Sequence, residues 1–193
     1  MTDRADMIRK VLAVVAVLVL IGLVAVLRFD DRTSRPMPPN GDMLGMDPEQ
    51  SFAQYRAHAE ASLMAAPAEE QAFALVTFTG ETTPEVAAGV LEPVGRVNAM
   101  LISLAAPFPL PEPVAGENRA DVFDRELGRI SHSLSGVGDV PTPEGLDAVI
   151  IWENGQTLRT LAEEGNVATV EALPPDAAWG RFGVRPVQLD QSA

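Results

Sequence analysis

Two histidines, His58 and His132, and three adjacent acid pairs, Asp30 with Asp31, Glu69 with Glu70 and Glu163 with Glu164, are the side chains whose type and spacing suggest acid–base or metal chemistry. Neither histidine has a partner at ligand spacing. Helical spacing puts His132 about 180° from Phe123, on a solvent-facing side, and places His58 at the border of an apolar stripe. Acids adjacent in sequence need not face one another, and raising one pKa for acid catalysis requires a burial that nothing here predicts. HExxH, paired CxxC, P-loop, GxSxG and post-strand GxGxxG patterns are all absent from the sequence. Asn154 and Gly155 read as a turn or helix cap. The expectation is a protein that is not an enzyme, with no catalytic residue, no metal and no cofactor. Finding His58 or His132 within hydrogen-bond reach of a buried carboxylate would reopen the question.

The elements that must position these groups begin with an apolar run. Val11 to Leu27 reads VLAVVAVLVLIGLVAVL, bracketed by Arg9 and Lys10 before it and Arg28 after it. At a helical rise the run covers roughly 25 Å, and flanking Arg and Lys stems can snorkel to close the gap to a bilayer core. Residues 11–28 are therefore expected to form a transmembrane helix, with residues 1–10 as a cytoplasmic tail and the main domain extracytoplasmic. The positive-inside count ties, with Arg4, Arg9 and Lys10 against Arg28, Arg32 and Arg35, so orientation rests on the habit of short basic N-terminal tails to stay inside. The competing reading is a cleaved signal peptide. The run exceeds an ordinary signal core, and Leu27, Arg28 and Phe29 stand where small residues are needed for cleavage.

Composition bounds the rest of the chain. Residues 36–193 carry 8 Arg and no Lys against 23 acidic residues, a net of −15, which disfavours nucleic acid as a partner because phosphate binding needs clustered positive charge. Zero cysteines exclude a disulfide framework and thiolate chemistry. Residues 29–46, rich in Pro, Gly and Asp without an apolar period, read as a flexible tether. A folded domain is expected over 47–186, and residues 187–193 read as a C-terminal tail that frays or docks on a neighbour.

Within that domain, Asp47-Pro48-Glu49-Gln50 reads as a cap opening a helix over 48–66, with Phe52, Tyr55, Ala59 and Leu63 on one face. Phe73 to Phe78 reads as a buried strand ended by Gly80. A short helix from Thr83 turns Val86, Val90 and Leu91 inward, and Val97 to Leu104 is a second strand. Pro107 to Pro113 has too few amide donors for a sheet interior and reads as a surface crossover or a docking strip. Asn118 opens a longer helix with Phe123, Leu127, Ile130 and Leu134 inward. Ala148 to Glu153, a short helix, and Val167 to Leu173 complete the pattern. Two strand-helix-strand units thus repeat. The expected fold is α+β, a four-stranded sheet built from two such units with helices packed on one face, a ferredoxin-like variant in which the Asn118 helix takes the place of the central hairpin. The alternative is a small parallel α/β sheet.

Residues suited to protein contact are the candidates that remain. Trp179, Arg181, Phe182 and Arg185 lie in AWGRFGVRP, and Trp and Arg most often dominate interfaces. The alternative is that this segment folds back on its own sheet. Phe108 and Leu110, in the Pro-rich strip, are the other partner-contact candidates.

The anchor, the strand-helix stretch ALVTFTGETTPEVAAGVL, the Pro-rich crossover and the unit AVIIWENGQTLRTLAEEGNVATVEALPPD together resemble a family of poorly characterised single-pass envelope proteins of actinobacteria. The size and layout are also similar to small accessory subunits of the actinobacterial cytochrome bc and cytochrome oxidase respiratory supercomplex. That resemblance implies a non-catalytic, membrane-anchored accessory or scaffolding subunit with the lipid bilayer and a larger membrane complex as partners. An envelope ligand-binding or sensory domain is the alternative function. An apolar pocket with a few convergent polar side chains would favour it.

Overall fold

The computed structural model describes residues 41–102, 106–135 and 142–189. The expected tail 1–10, transmembrane helix 11–28 and most of the tether 29–46 therefore lie outside the described residues, as do residues 190–193. Among the described residues no helix is long and apolar enough to cross a membrane.

The chain runs through β1 (Met43–Leu44), α1 (Phe52–Ala65), β2 (Gln71–Thr82), α2 (Pro84–Val90), β3 (Arg96–Leu101), β4 (Phe108–Pro109), α3 (Arg119–Leu134), β5 (Leu146–Asn154), α4 (Gly155–Ala162), β6 (Val167–Ala172) and β7 (Gly183–Val184). This is a mixed α+β fold. Its main sheet has five strands in the order β4-β3-β5-β2-β6, and every pairing in it is antiparallel. The parallel alternative is thereby overturned. In each strand-helix-strand unit the two strands are not neighbours: β5 sits between β2 and β3, and β2 sits between β5 and β6.

The expected four strands gain a fifth because part of the Pro-rich strip pairs. Phe108 and Pro109 lie opposite Met100 and Ala99, and Leu110 N donates to Asn98 O at 2.9 Å. Proline lacks the amide that an interior strand would need, so this strip is confined to the sheet edge.

Alternation along the strands divides the apolar residues between two cores. On one face Ala74, Val76, Phe78, Val149, Ile151 and Val170 meet Leu91, Phe123, Leu127, Leu158 and Leu161 from the helices. On the other, Phe73, Leu75, Ala99, Leu101, Ala148 and Ile150 are covered by Leu44, Leu173, Phe182, Val184 and Val187 from the two ends of the domain. This outer face needs its cover because alternation leaves it as apolar as the inner one.

Helix ends follow side-chain chemistry. Asn118 and Asp121 form a reciprocal capping box at α3, and Asn154 accepts from Thr157 N to cap α4, both as the sequence suggests. The start of α1 differs. Ser51, with Gln54, closes the capping box there, while Asp47 and Gln50 make a turn of their own ahead of it. Two arginines bind the helices together by satisfying foreign C-terminal carbonyls. Arg119 donates to Leu91 O and Val94 O after α2, and Arg159 donates to Leu63 O and Ala66 O at the end of α1.

Helix α1 does not lie on the same face as its fellows. Leu63 joins the helix-side core, Ser62 Oγ accepts from Ala172 N of β6 at 3.0 Å, and Tyr55 reaches Glu171 on the opposite face. The helix therefore straddles the free edge of β6 and occupies donors that would otherwise invite another strand.

Several expected details are corrected by packing. Leu91 and Val90 pack inward as expected, but Val86 is 43% exposed and Ala87 fills the remaining inward position. Strand β2 runs through Gly80 to Thr82. The tether ends earlier than residue 46, since β1 pairs in parallel with β7, Met43 opposite Gly183 and Leu44 opposite Val184, with Leu44 fully buried. The tail from 187 is not free at its start either, because Val187 packs on the outer core.

Gly45 makes this closure possible. It adopts φ +94, and a Cβ there would fall 1.9 Å from Arg185 O. Gly45→Ala is expected to force β1 from β7 and expose Leu44, lowering stability by about 2–3 kcal/mol, read as a lower urea midpoint of the intact chain. An unchanged midpoint would mean that the β1–β7 pair contributes nothing.

Candidate functional site

Two clusters could do something: a buried polar node under α1, and an aromatic patch on the outer face. The node is built on Glu171, which alternation in β6 turns toward the outer face, where it is 2% exposed. Its Oε2 accepts from Gly45 N at 2.7 Å and from the fully buried Tyr55 hydroxyl at 3.0 Å. Its Oε1 lies 3.4 Å from His58 Nε2, whose side chain is 63% exposed. Tyr55 and His58 stand three residues apart on α1, so one helix face delivers both.

Electrostatics follow from the burial. Desolvation pushes the Glu171 carboxyl above its usual range, opposed by the Gly45 and Tyr55 hydrogen bonds and the neighbouring His58. Tyr55 is driven far upward, first by burial and then by the charge of Glu171. The hydroxyls of Thr77 and Thr169, cross-strand partners on β2 and β6, adjoin the same tyrosine.

The sequence criterion for reopening catalysis, a histidine beside a buried carboxylate, is met in this geometry. One oxygen of Glu171 is filled by two internal donors, and neither Glu171 nor His58 lines the clefts at Trp179, at Arg119 or at Arg185. What the node does physically is tie β1, α1 and β6 into one piece.

A second buried carboxylate works the same way. Glu153, 7% exposed, accepts from Gly95 N at 2.8 Å through Oε2 and from Asn154 N and Nδ2 at 2.9 and 2.7 Å through Oε1. Glu126 on α3, 7% exposed, is met by Arg129 at 2.8 Å.

The aromatic patch centres on Phe73 of β2. Its ring centroid lies 5.2 Å from Phe182, 5.7 Å from Trp179 and 6.4 Å from Trp152, and Trp179 meets Phe182 edge-on at 5.8 Å. These separations suit attractive ring pairs. Trp179 precedes Gly180, whose φ of +77 allows the tight turn closed by Arg181 N donating to Ala178 O at 3.0 Å. The turn leaves Trp179 44% exposed, and Trp152 is 38% exposed. A cleft of about 230 Å³ beside them is lined by Pro107, Ile150, Trp179, Gly180, Phe182 and Val184. Other surface depressions among the described residues include one bounded by Glu85, Glu92, Asn118 and Arg119 and one by Met46, Asp47, Arg185 and Gln188.

Of the six expected partner-contact residues, the structure separates three kinds. Leu110 is buried in the helix-side core and Phe108 is half-buried against it, because the edge strand turns both side chains inward. Phe182 packs on the outer core and Arg185 pairs with Asp47, as the fold-back alternative anticipates. Trp179 and Arg181 remain exposed. Pro107 and Trp179, from the two strips singled out in the sequence, line one cleft.

His132, Glu69, Glu70, Glu163 and Glu164 are exposed, and Asp30 with Asp31 lies outside the described residues. Among the described residues no group of three or more His, Cys, Asp or Glu side chains is arranged to hold a metal ion. Sequence reasoning missed Glu171 and Trp152. No family model, no curated protein and no solved structure matches this chain.

Glu171→Ala leaves the Tyr55 hydroxyl and the Gly45 amide without their partner and is expected to cost on the order of 2–3 kcal/mol, measured by urea denaturation. The pH dependence has a definite sign. With the folded pKa raised above the ordinary 4.5, the folded state holds the proton longer, so the contribution is present below pH 4.5 and is lost as pH rises through the folded value. Relative to Glu171→Gln, the unaltered protein should lose stability as pH rises through that window. A constant difference between the two would show that the carboxyl is not shifted.

Proposed function

We propose that this chain is a non-catalytic, membrane-anchored accessory subunit that holds its α+β domain on the extracytoplasmic side of a larger membrane complex. Its sequence layout resembles small accessory subunits of the actinobacterial respiratory supercomplex, which is the assembly proposed. The observation that carries the non-catalytic reading is the use made of the buried acids. Glu171, Glu153 and Glu126 each accept donors from their own fold, so the groups best suited to acid–base work act as internal fasteners.

The strand order β6-β2-β5-β3 with interleaved strand-helix-strand units supports the finer reading of a ferredoxin-like sandwich. In it, β4 and α3 occupy the connection that is ordinarily a hairpin. Such a sandwich is a platform whose function resides in what is grafted onto it. Here the graft is the outer face that carries the exposed Trp179 and Arg181.

An envelope ligand-binding domain is the second reading, and the cleft at Trp179 is what it has to offer. Its lining supplies a single side-chain polar group, the Trp179 indole N–H, where a small-molecule site needs several converging ones.

Purification of the native chain in mild detergent, with companions identified by mass spectrometry, tests the proposal. Stable membrane-protein companions in fixed ratio are expected. A solitary monodisperse monomer would overturn the accessory role, and recovery from salt-washed, detergent-free supernatant of a chain starting beyond Phe29 would overturn the anchor.

A further inference from the structure

We infer that the outer aromatic patch around Trp179 rests in the lipid–water interface of the bilayer, so that the domain lies against the membrane instead of standing clear of it. The inference rests on the membrane-anchor reading and names the surface that meets the lipid. Three observations on different parts of the chain converge on that face.

The first is where the chain enters the domain. A methyl group added at Gly41 would lie 3.3 Å from Arg181 O, and Asp42 O accepts from Gly183 N at 2.8 Å. Residue 41 thus arrives beside the turn that carries Trp179 and Arg181. Only residues 28–40 separate that point from the apolar run. Thirteen residues reach at most about 45 Å even when fully extended, and they join the domain on the face that carries Trp179 and Arg181.

The second is the placement of the tryptophans. The chain contains two, and both border Phe73 on this outer face and are partly exposed. Indole, with an apolar body and one N–H donor, is the side chain that collects at headgroup depth. The third is local charge. Arg181 is exposed next to Trp179, whereas Arg96, in register with Trp152, is ion-paired with Glu112 at 3.0 Å, so Arg181 is the guanidinium offered beside the rings. That guanidinium can meet lipid phosphate. A protein groove would be the rival occupant. Nothing in the entry geometry brings one to this face, whereas the bilayer is brought there by the chain itself.

Because both tryptophans lie on the patch, intrinsic fluorescence reports on it alone. The full chain is reconstituted into phosphatidylcholine–phosphatidylglycerol vesicles with and without bromine on the acyl chains, and the emission is compared. Loss of emission in the brominated vesicles is expected, persisting in Trp152→Phe, where Trp179 alone emits, and weakened by Arg181→Glu. Equal emission in both vesicle types, from protein that floats with the vesicles, would overturn the inference and leave the anchor standing. Failure to float with vesicles would overturn both. Blue-shifted emission that bromine does not quench, seen only when a companion protein co-elutes, would assign the patch to that protein and overturn the lipid contact.

Discussion

The buried carboxylate of Glu171 is the constraint on which the domain's assembly depends. It sits on the last long strand, and its donors come from the segment that enters the domain and from the first helix. An acid placed there without those donors would carry a desolvation cost of several kcal/mol. Once they are supplied, the same cost becomes specificity: β1, α1 and β6 have one arrangement in which the carboxylate is satisfied, and neighbouring arrangements strand it. The Gly45 amide can reach it only because Gly45 takes a left-handed conformation against the Arg185 backbone. A glycine in a loop and a glutamate in a strand are therefore two halves of one device.

That device explains why the sheet can be apolar on both sides. Helices α2, α3 and α4 cover one face. The other face, with Leu75, Leu101 and Ile150 among its residues, is roofed by short terminal segments that bury little area of their own. Leu44 and Val184 contribute on the order of 1.5–3 kcal/mol each when fully buried, too little to hold two termini in place without hydrogen bonds. The β1–β7 pair and the Glu171 contact supply them. The roof is incomplete around Phe73, and the tryptophans occupy the gap.

Much of the frame was legible locally. Asn118 with Asp121, Asn154 before Gly155, and the Tyr55, Ala59 and Leu63 stripe are signals that act within four residues, where side-chain reach and helical period decide the outcome. Two strand-helix-strand units follow from the same patterns. The structure's decisive contacts are of another kind. The partners of Glu171 are 116 and 126 residues away in sequence, and a glutamate in the alternating run VATVEA looks like an ordinary outward residue until a helix is laid over it. Strand β1 is two residues long, too short to carry a period, so Met43 and Leu44 were indistinguishable from tether. Trp152 ends the apolar run AVIIW and resembles buried strand, while its exposure is set by how far the C-terminal arm extends. Phe108 and Leu110 are a different case: prolines bar an interior strand, and only the pairing at the sheet edge shows that their side chains still point inward.

The parallel pairing of β1 with β7 imposes an order on biogenesis. Ribosomes make the chain from its N-terminus, so Leu44 waits through some 140 residues of synthesis before Val184 exists to shelter it. Until then the outer face of the sheet has no lid, and any nascent intermediate carries an open, greasy surface. For this architecture the domain is sealed only once the segment around Val184 has been made.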